Sequence, residues 1–308
     1  MPRRCWRRWR GGFDQPVGNA AALPTFLISR EARRFVSVAL SGVGGDELFG
    51  GYPRYLGLLW HARLHRLPGR SILAALGRRL GDSDSSRNLR GRLRRFLTAL
   101  DDSPAAAYRR WMRATEAEPG ALFTRTIEPV EDPWPSAAED AGGLEGLIAR
   151  LGVVNGAMAF DQCSYLADDL LAMGDRMSMA HALELRAPFL DPELIAEALW
   201  LAPRCKVAGA PWGEGLKLLL RATARRRLPA AVIDRPKQGF MAPVKLWLRR
   251  DLRGQVEELT RRDPVGGLVR RSFVRSEWRR HLAGEDRADI LWGILLLDRW
   301  AAQRGWRF

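Results

Sequence analysis

The stretch "VSVALSGVGGDELFGGYPRY", Val36 to Tyr55, constrains the fold of this chain more than any other. "VSVAL" is apolar and β-branched, and short enough to be a buried strand of a parallel sheet. Gly42, Gly44 and Gly45 then give a turn. A helix is expected from about Asp46, broken at Gly50-Gly51 and Pro53. Turns of this kind face anions with backbone N–H groups, yet this one carries Asp46 and Glu47. A dinucleotide fingerprint needs a third glycine where Glu47 stands, and the G-K-[ST] of a P-loop is missing. Two readings of the acids fit. Asp46 holds a divalent cation that bridges to the anion, which makes acids favourable beside phosphate. Alternatively, both acids simply suit the positive end of a helix dipole.

The rest of the chain sets the frame for that turn. A chain of 308 residues with an apolar fraction of 46% buries a substantial core, expected as two lobes. No apolar run reaches the roughly 20 residues of a membrane span. "MPRRCWRRWRGGF" is basic without an apolar stretch behind it, so it is not a secretory signal. Cys5, Cys163 and Cys205 form no C-x-x-C, which suits a reducing cytoplasm. The net charge of +15 comes almost entirely from arginine, because Lys206, Lys217, Lys237 and Lys245 are the only lysines. Those arginines are spread over helical segments such as "LRGRLRRFL", where they read as solvated faces. No nucleic-acid signature accompanies them, so neither nucleic acid nor membrane is expected as a partner.

Along the chain, residues 1–12 look irregular, and Asp14 to Pro16 form a turn. Ser29 is expected to cap a short helix ending near Phe35. Residues 60 to 130 read as Arg/Leu/Ala-rich helices with a polar break at "GDSDSSRN", and a surface loop is expected at "EPVEDPWPSAAEDAGG". Helix dominates from Leu144, and Asp191-Pro192 reads as an N-cap and first helical position. His61 and His65, four apart, are expected on an exposed helix face, since Ala62 stands where a zinc peptidase needs Glu. Cys163 reads as core packing.

The quoted stretch resembles the signature of the asparagine synthetase family, in its ATP-using synthetase domain. The resemblance continues in the family's order through "DQCSYLADDLLAMGDRMSMAHALELRAPFLDPELIAEAL" (Asp161 to Leu199) and "GLKLLLRATARRRLPAAVIDRPKQGFMAPVKLWLR" (Gly215 to Arg249). "FDQPVGN" is similar to the family's D-x-P turn. The resemblance implies a parallel α/β sheet of the ATP-pyrophosphatase (adenine nucleotide α-hydrolase-like) type, partial here, joined to a large helical lobe. It implies one synthetase domain over 13–308, with residues 60–150 loosely similar to the family's variable helical region, and with ATP and magnesium as cofactors. The implied reaction activates the aspartate side chain as an acyl-adenylate, and ammonia then displaces AMP. Residue by residue, Asp46 matches the magnesium-binding aspartate. Ser41, Gly42 and Gly44 match the nucleotide-contacting turn. Lys237 in "RPKQGF" matches the lysine that stabilises charge at the α-phosphate. Asp175, Arg176, Glu184 and Arg186 match the D-R and E-x-R-x-P pattern lining the site. Asp168 and Asp169 lie on the preceding turn, where one can face the cleft and take a proton.

Three departures from the family pattern shape the expectation. Val43 stands where the family usually has Glu or Asp, and lactam-forming relatives have tyrosine there. The pyrophosphate loop S-G-G-x-D-S is missing, Ser41-Gly42 being the only Ser-Gly pair. No glutaminase segment is present, and Cys5 lies behind "MPRR". The chain therefore reads as a C-terminal part of such an enzyme, as a fragment, split subunit or degenerate copy. Its ammonia donor would then be a separate glutaminase or N-terminal chain. The alternatives are a related amide- or lactam-forming enzyme with another carboxylate, and a non-catalytic subunit that keeps the fold. With upstream strands missing, at least one edge of the Val36 to Leu40 strand is expected to be unpaired and apolar.

Overall fold

The glycine turn stands at the end of a very small sheet. The computed structural model describes residues 14–80, 89–113, 117, 119–126, 140–209, 215–235 and 242–306. Strand β1 (Val38–Leu40) pairs in parallel with β2 (Glu184–Arg186), Val38 opposite Glu184 and Leu40 opposite Arg186. Among the described residues no other strand joins them. The polar break Gly81 to Asn88, most of the loop Glu128 to Gly143 and the N-terminal 1–13 lie outside the described residues.

Helix α1 (Ala22–Ala32) precedes β1. Asn19 shapes the turn just ahead of it, its Oδ1 accepting from the Ala21 N–H at 2.9 Å. Ser29 lies inside this helix and is buried, not at its N-cap as expected. The apolar residues around Leu23 and Phe26 set the helix start earlier, because they need the core contact. After β1 come α2 (Gly45–Phe49) and α3 (Pro53–Leu64), parted at Gly50 and Gly51 as the glycines and Pro53 require. Helices α4 (Arg70–Arg79), α5 (Leu89–Thr98) and α6 (Pro104–Met112) follow. Ser103 caps α6 by accepting from the Ala106 N–H.

A long helical run crosses the molecule next. It comprises α7 (Gly143–Asp161), broken at Gly152, a π-helical stretch Gln162–Leu171, and α8 (Ala172–Met179). β2 follows, then α9 (Pro192–Trp200), capped by Asp191 as its sequence predicts, and α10 (Pro203–Lys206) and α11 (Leu218–Ala224). The C-terminal part is built from α12 (Val244–Arg249), α13 (Arg253–Leu259), α14 (Arg271–Leu282) and α15 (Ala288–Gln303).

Three apolar clusters hold these pieces. The largest packs α15 (Leu291, Trp292, Leu295) against α12 to α14 and reaches α1 and Met177 of α8. A second joins α3, α6 and α7 through Tyr55, Leu58, Tyr108 and Phe160. A third seats Leu48 and Phe49 of α2 against Ala198 of α9, with Phe189 and Leu190 beside them. The turn is thus anchored from behind by α2.

The strand itself is a correction. It was expected to be buried, yet Val38 is 38% and Leu40 76% exposed, and Phe35 just before it is 82% exposed. Parallel strands are normally covered on both faces by helices and flanked by further strands. Here β2 lies along one edge of β1, and no described strand lies along the other. No helix of the described residues is long and apolar enough to cross a membrane.

Candidate active site

Both strands run parallel, so their C-terminal ends open on the same side, where ligands bind in open α/β sheets. Ser41 leaves β1 there. Its N–H donates to the Arg186 carbonyl at 2.7 Å, which ties the glycine turn to the E-x-R strand. Its Oγ accepts from the Val43 N–H at 3.3 Å and shapes the first bend. Gly44 takes a left-handed φ of 91° directly before α2, and a Cβ there would lie 2.4 Å from Leu190 Cδ2. Glycine is therefore required by conformation and by space alike. A cleft with about 150 Å³ of room opens at this point, lined by Ser41, Val43, Gly174, Asp175, Leu185 and neighbouring Leu170, Leu171 and Ala187.

The acids expected around this cleft fall into different settings. Asp175 lines it. Arg176 turns to the N-terminal block, its Nη2 donating to Asp14 Oδ2 at 2.9 Å. Asp169 accepts from Asn19 Nδ2 at 2.6 Å. Burial raises its carboxyl above the ordinary range, and the Asn19 hydrogen bond pulls it the other way. Asp168, one position earlier, is exposed. Glu184 and Arg186 share one face of β2 and pair with each other at 2.8 Å in the open. Asp46 is not part of the cleft lining, and its Oδ1 lies 2.8 Å from Lys217 Nζ. Lys237 lies outside the described residues. The sequence blocks around Asp14 to Asn19, Val36 to Tyr55 and Asp161 to Leu199 thus meet through Ser41–Arg186, Asp14–Arg176 and Asn19–Asp169.

The asparagine synthase family model matches residues 7–302. The chain belongs to that family. It is 31% identical over 301 residues to a putative glutamine-hydrolysing asparagine synthetase of Mycobacterium tuberculosis (strain H37Rv), covering 94% of this chain and 43% of that protein. It is 25% identical over 303 residues to glutamine-hydrolysing asparagine synthetase 1 of Bacillus subtilis (strain 168), covering 97% of this chain and 45% of the relative. A 44-residue stretch is 52% identical to a putative asparagine synthetase of Methanocaldococcus jannaschii. The chain spans less than half the length of the longer-matching relatives.

Behind the turn, this asparagine synthase family member carries a polar cluster that the sequence reading did not find. Asp161 is fully buried. Its Oδ2 accepts from Tyr55 Oη at 2.5 Å, Tyr108 Oη at 2.6 Å and Arg54 Nη2 at 2.6 Å. Arg54 also donates to Tyr108 Oη, and its guanidinium lies 3.9 Å from the centre of the Tyr52 ring. Tyr52 in turn donates to Glu47 Oε1 at 2.5 Å. Burial pushes the Glu47 carboxyl up, against the pull of the Tyr52 hydrogen bond. The cluster therefore braces α2 and α3 directly under the turn. A signal for it existed: Asp161 is the one charged residue between Leu151 and Ala167, and a lone charge in an apolar helical run needs a partner.

Two further expectations are settled. His61 is fully buried, not exposed: its Nε2 meets the Ala99 carbonyl at 2.8 Å, and α5 and α6 cover it with Phe96 and Trp111. Burial lowers its pKa. Cys163 is half-buried beside the second apolar cluster, and burial raises its thiol pKa, which fits packing rather than attack.

Proposed function

We propose that this chain is the ATP-dependent synthetase region of a glutamine-hydrolysing asparagine synthetase type of enzyme. In this reading it activates the aspartate side chain as an acyl-adenylate with release of pyrophosphate, and ammonia displaces AMP to leave the amide. The observation that carries the reading is the shared cleft at the C-terminal ends of β1 and β2, where the glycine turn (Ser41, Val43) meets Asp175 of the D-R pair. Family membership supplies the chemistry that belongs there. Ser41, Gly42 and Gly44 contact the nucleotide, and Lys237 stabilises charge at the α-phosphate. Asp175 lines the carboxylate side, and Arg176, Glu184 and Arg186 are assigned to it by the family pattern. Asp169 takes the proton from the incoming ammonium, with exposed Asp168 as the other candidate. Its burial supports that role, because a raised carboxyl is the better base near neutral pH.

Magnesium fits this site in one particular way. Among the described residues no three acids, histidines or cysteines gather as a ready-made cage. Asp46 offers a single carboxylate, the donor set of an ion that fills its shell from phosphates and water. When bound, the ion would offset charge on the departing pyrophosphate. The fold in this reading is of the ATP-pyrophosphatase type, the compartment is the cytoplasm, and ammonia and the pyrophosphate loop come from sequence outside these 308 residues, on the same polypeptide or on a separate glutaminase or N-terminal chain.

The test is magnesium-dependent ATP–pyrophosphate exchange with aspartate. We expect weak ATP binding and no asparagine from the 308-residue chain alone. Exchange should appear when the upstream part of a close relative is supplied as a second chain. Robust asparagine synthesis from ammonia without a partner would refute the need for that part. Absence of exchange in the reassembled pair would point to a non-catalytic subunit.

Val43 favours a second reading, a related amide- or lactam-forming enzyme with another carboxylate. Valine lines the cleft where proton chemistry is expected and cannot perform it. Exchange across a panel of carboxylic acids separates the two readings. If ammonia is the acceptor, Val43→Glu should raise amide formation and leave exchange nearly constant.

A further inference from the structure

The Asp46–Lys217 pair has three features that an incidental surface ion pair lacks. First, it is half-sheltered, with the Asp46 and Lys217 side chains 25% and 29% exposed at a separation of 2.8 Å. Second, it lies across the bare backbone of Gly51. A Cβ on Gly51 would stand 1.7 Å from Asp46 Oδ1 and 2.3 Å from Lys217 Cε, so no side chain fits while the pair is made. The Gly51 N–H also donates to the Asp46 carbonyl at 2.8 Å, which fixes the two residues together. Third, Lys217 has a left-handed backbone, φ 54° and ψ 38°, at the start of α11. Non-glycine residues are rarely held there unless the surroundings impose it. Its carbonyl accepts from the Arg221 N–H at 2.8 Å, so the helix holds this geometry.

We propose that Lys217 is a displaceable internal counter-ion for the metal-binding carboxylate. The inference rests on the reading of Asp46 as the magnesium donor. The ammonium occupies one oxygen of the carboxylate that would hold a divalent ion, and it opposes an incoming ion by its own charge. A free cation must break this pair without replacing it. A cation that arrives with a polyphosphate brings an anion able to take the released ammonium. Lys217 therefore makes metal binding conditional on the nucleotide and keeps the carboxylate from collecting divalent ions on its own. The two binding events become coupled, each favouring the other.

Manganese, followed by electron paramagnetic resonance without nucleotide and again with ATP, tests this on the full chain. Without nucleotide, Lys217→Met should bind Mn2+ up to about fivefold more tightly than the natural chain, the scale of one partly exposed ion pair. Lys217→Arg should behave as the natural chain does. The double variant Asp46→Asn with Lys217→Met should lose the gain. The advantage that ATP gives to Mn2+ binding should shrink in Lys217→Met. Lys217→Gln serves if the methionine variant does not fold, as judged by circular dichroism. A folded Lys217→Met or Lys217→Gln whose Mn2+ affinity does not rise, while ATP still promotes Mn2+ binding through Asp46, overturns the counter-ion and leaves the metal reading standing. Absence of Asp46-dependent Mn2+ binding in every variant, with and without ATP, removes both.

Discussion

Asp46 and Glu47 are consecutive, yet they belong to opposite sides of the turn. In front, three acids are partly or fully exposed and answered by basic side chains: Asp46 by Lys217, Glu184 by Arg186, and Asp14 across to Arg176. Behind, they are buried and answered mainly by phenols. Glu47 accepts from Tyr52, and Asp161 from Tyr55 and Tyr108 together with Arg54. Exposed ion pairs exchange partners cheaply, because water screens both states. A buried carboxylate held by several donors cannot, because removing any donor strands a desolvated charge. The same residue type thus serves for reversible binding on one side and for fixed geometry on the other.

The largest effect expected of this contrast is at Asp161. Asp161→Ala should cost about 3–5 kcal/mol of unfolding free energy, since it leaves Arg54 buried without its carboxylate. Urea denaturation measures it, and a loss below about 1 kcal/mol would erase the distinction between the two sides. Next comes Lys237, expected in front. Lys237→Ala should lower pyrophosphate release roughly a hundredfold in a competent assembly with the fold intact, the scale of one lost transition-state charge. Unchanged release would take Lys237 out of the reaction.

A smaller effect concerns Lys206, behind the turn, whose Nζ donates to Asn155 Oδ1 at 3.0 Å. Burial pulls its pKa down from 10.5 to about 8. The unfolded chain then holds more protons than the folded one between about pH 8 and 10.5, so this group's contribution to stability rises with pH across that window. The cost of burying the charge is in full force below pH 8 and is relieved above it. Measured against Lys206→Met, the natural chain should therefore gain relative stability from pH 8 to pH 10. A flat difference would mean that Lys206 keeps its proton through solvent. The smallest effect is at Glu184. Glu184→Gln should change unfolding free energy by less than about 0.5 kcal/mol, because its pair with Arg186 is exposed. A change above about 2 kcal/mol would place Glu184 with the buried group instead.

What could be read from the sequence follows the range over which each feature is determined. The glycine turn and the break before Pro53 are local, and they stand where their residues predict. The same holds for Asp191, whose Oδ1 accepts from the Glu193 and Leu194 N–H groups. β2 could not be read, because the alternation of "ELR" is only three residues long and the segment exists as a strand only by pairing with β1. The exposure of β1 was legible only in part: "VSVAL" is written for burial, while the departures from the family pattern led to the expectation of an unpaired edge, and no described strand lies along it. The π-helical stretch that carries Asp168 and Asp169 left no mark in the periodicity, although such stretches gather at functional sites. The family blocks named Asp46 and Arg186, but nothing in the sequence named Lys217 as a partner, since Gly51 and Lys217 meet only in space. His61 failed for the same reason, its cover coming from Phe96 and Trp111 on other helices.

The pairing of Val38 with Glu184 also closes a long loop. The Ser41 N–H and the Arg186 carbonyl that receives it are separated in the chain by α2 to α8. Closing so long a loop is entropically expensive and slow compared with forming the helices between its ends. The cleft exists only while β1 and β2 are paired, so its integrity depends on a contact between distant parts of the chain and not on the glycine turn alone.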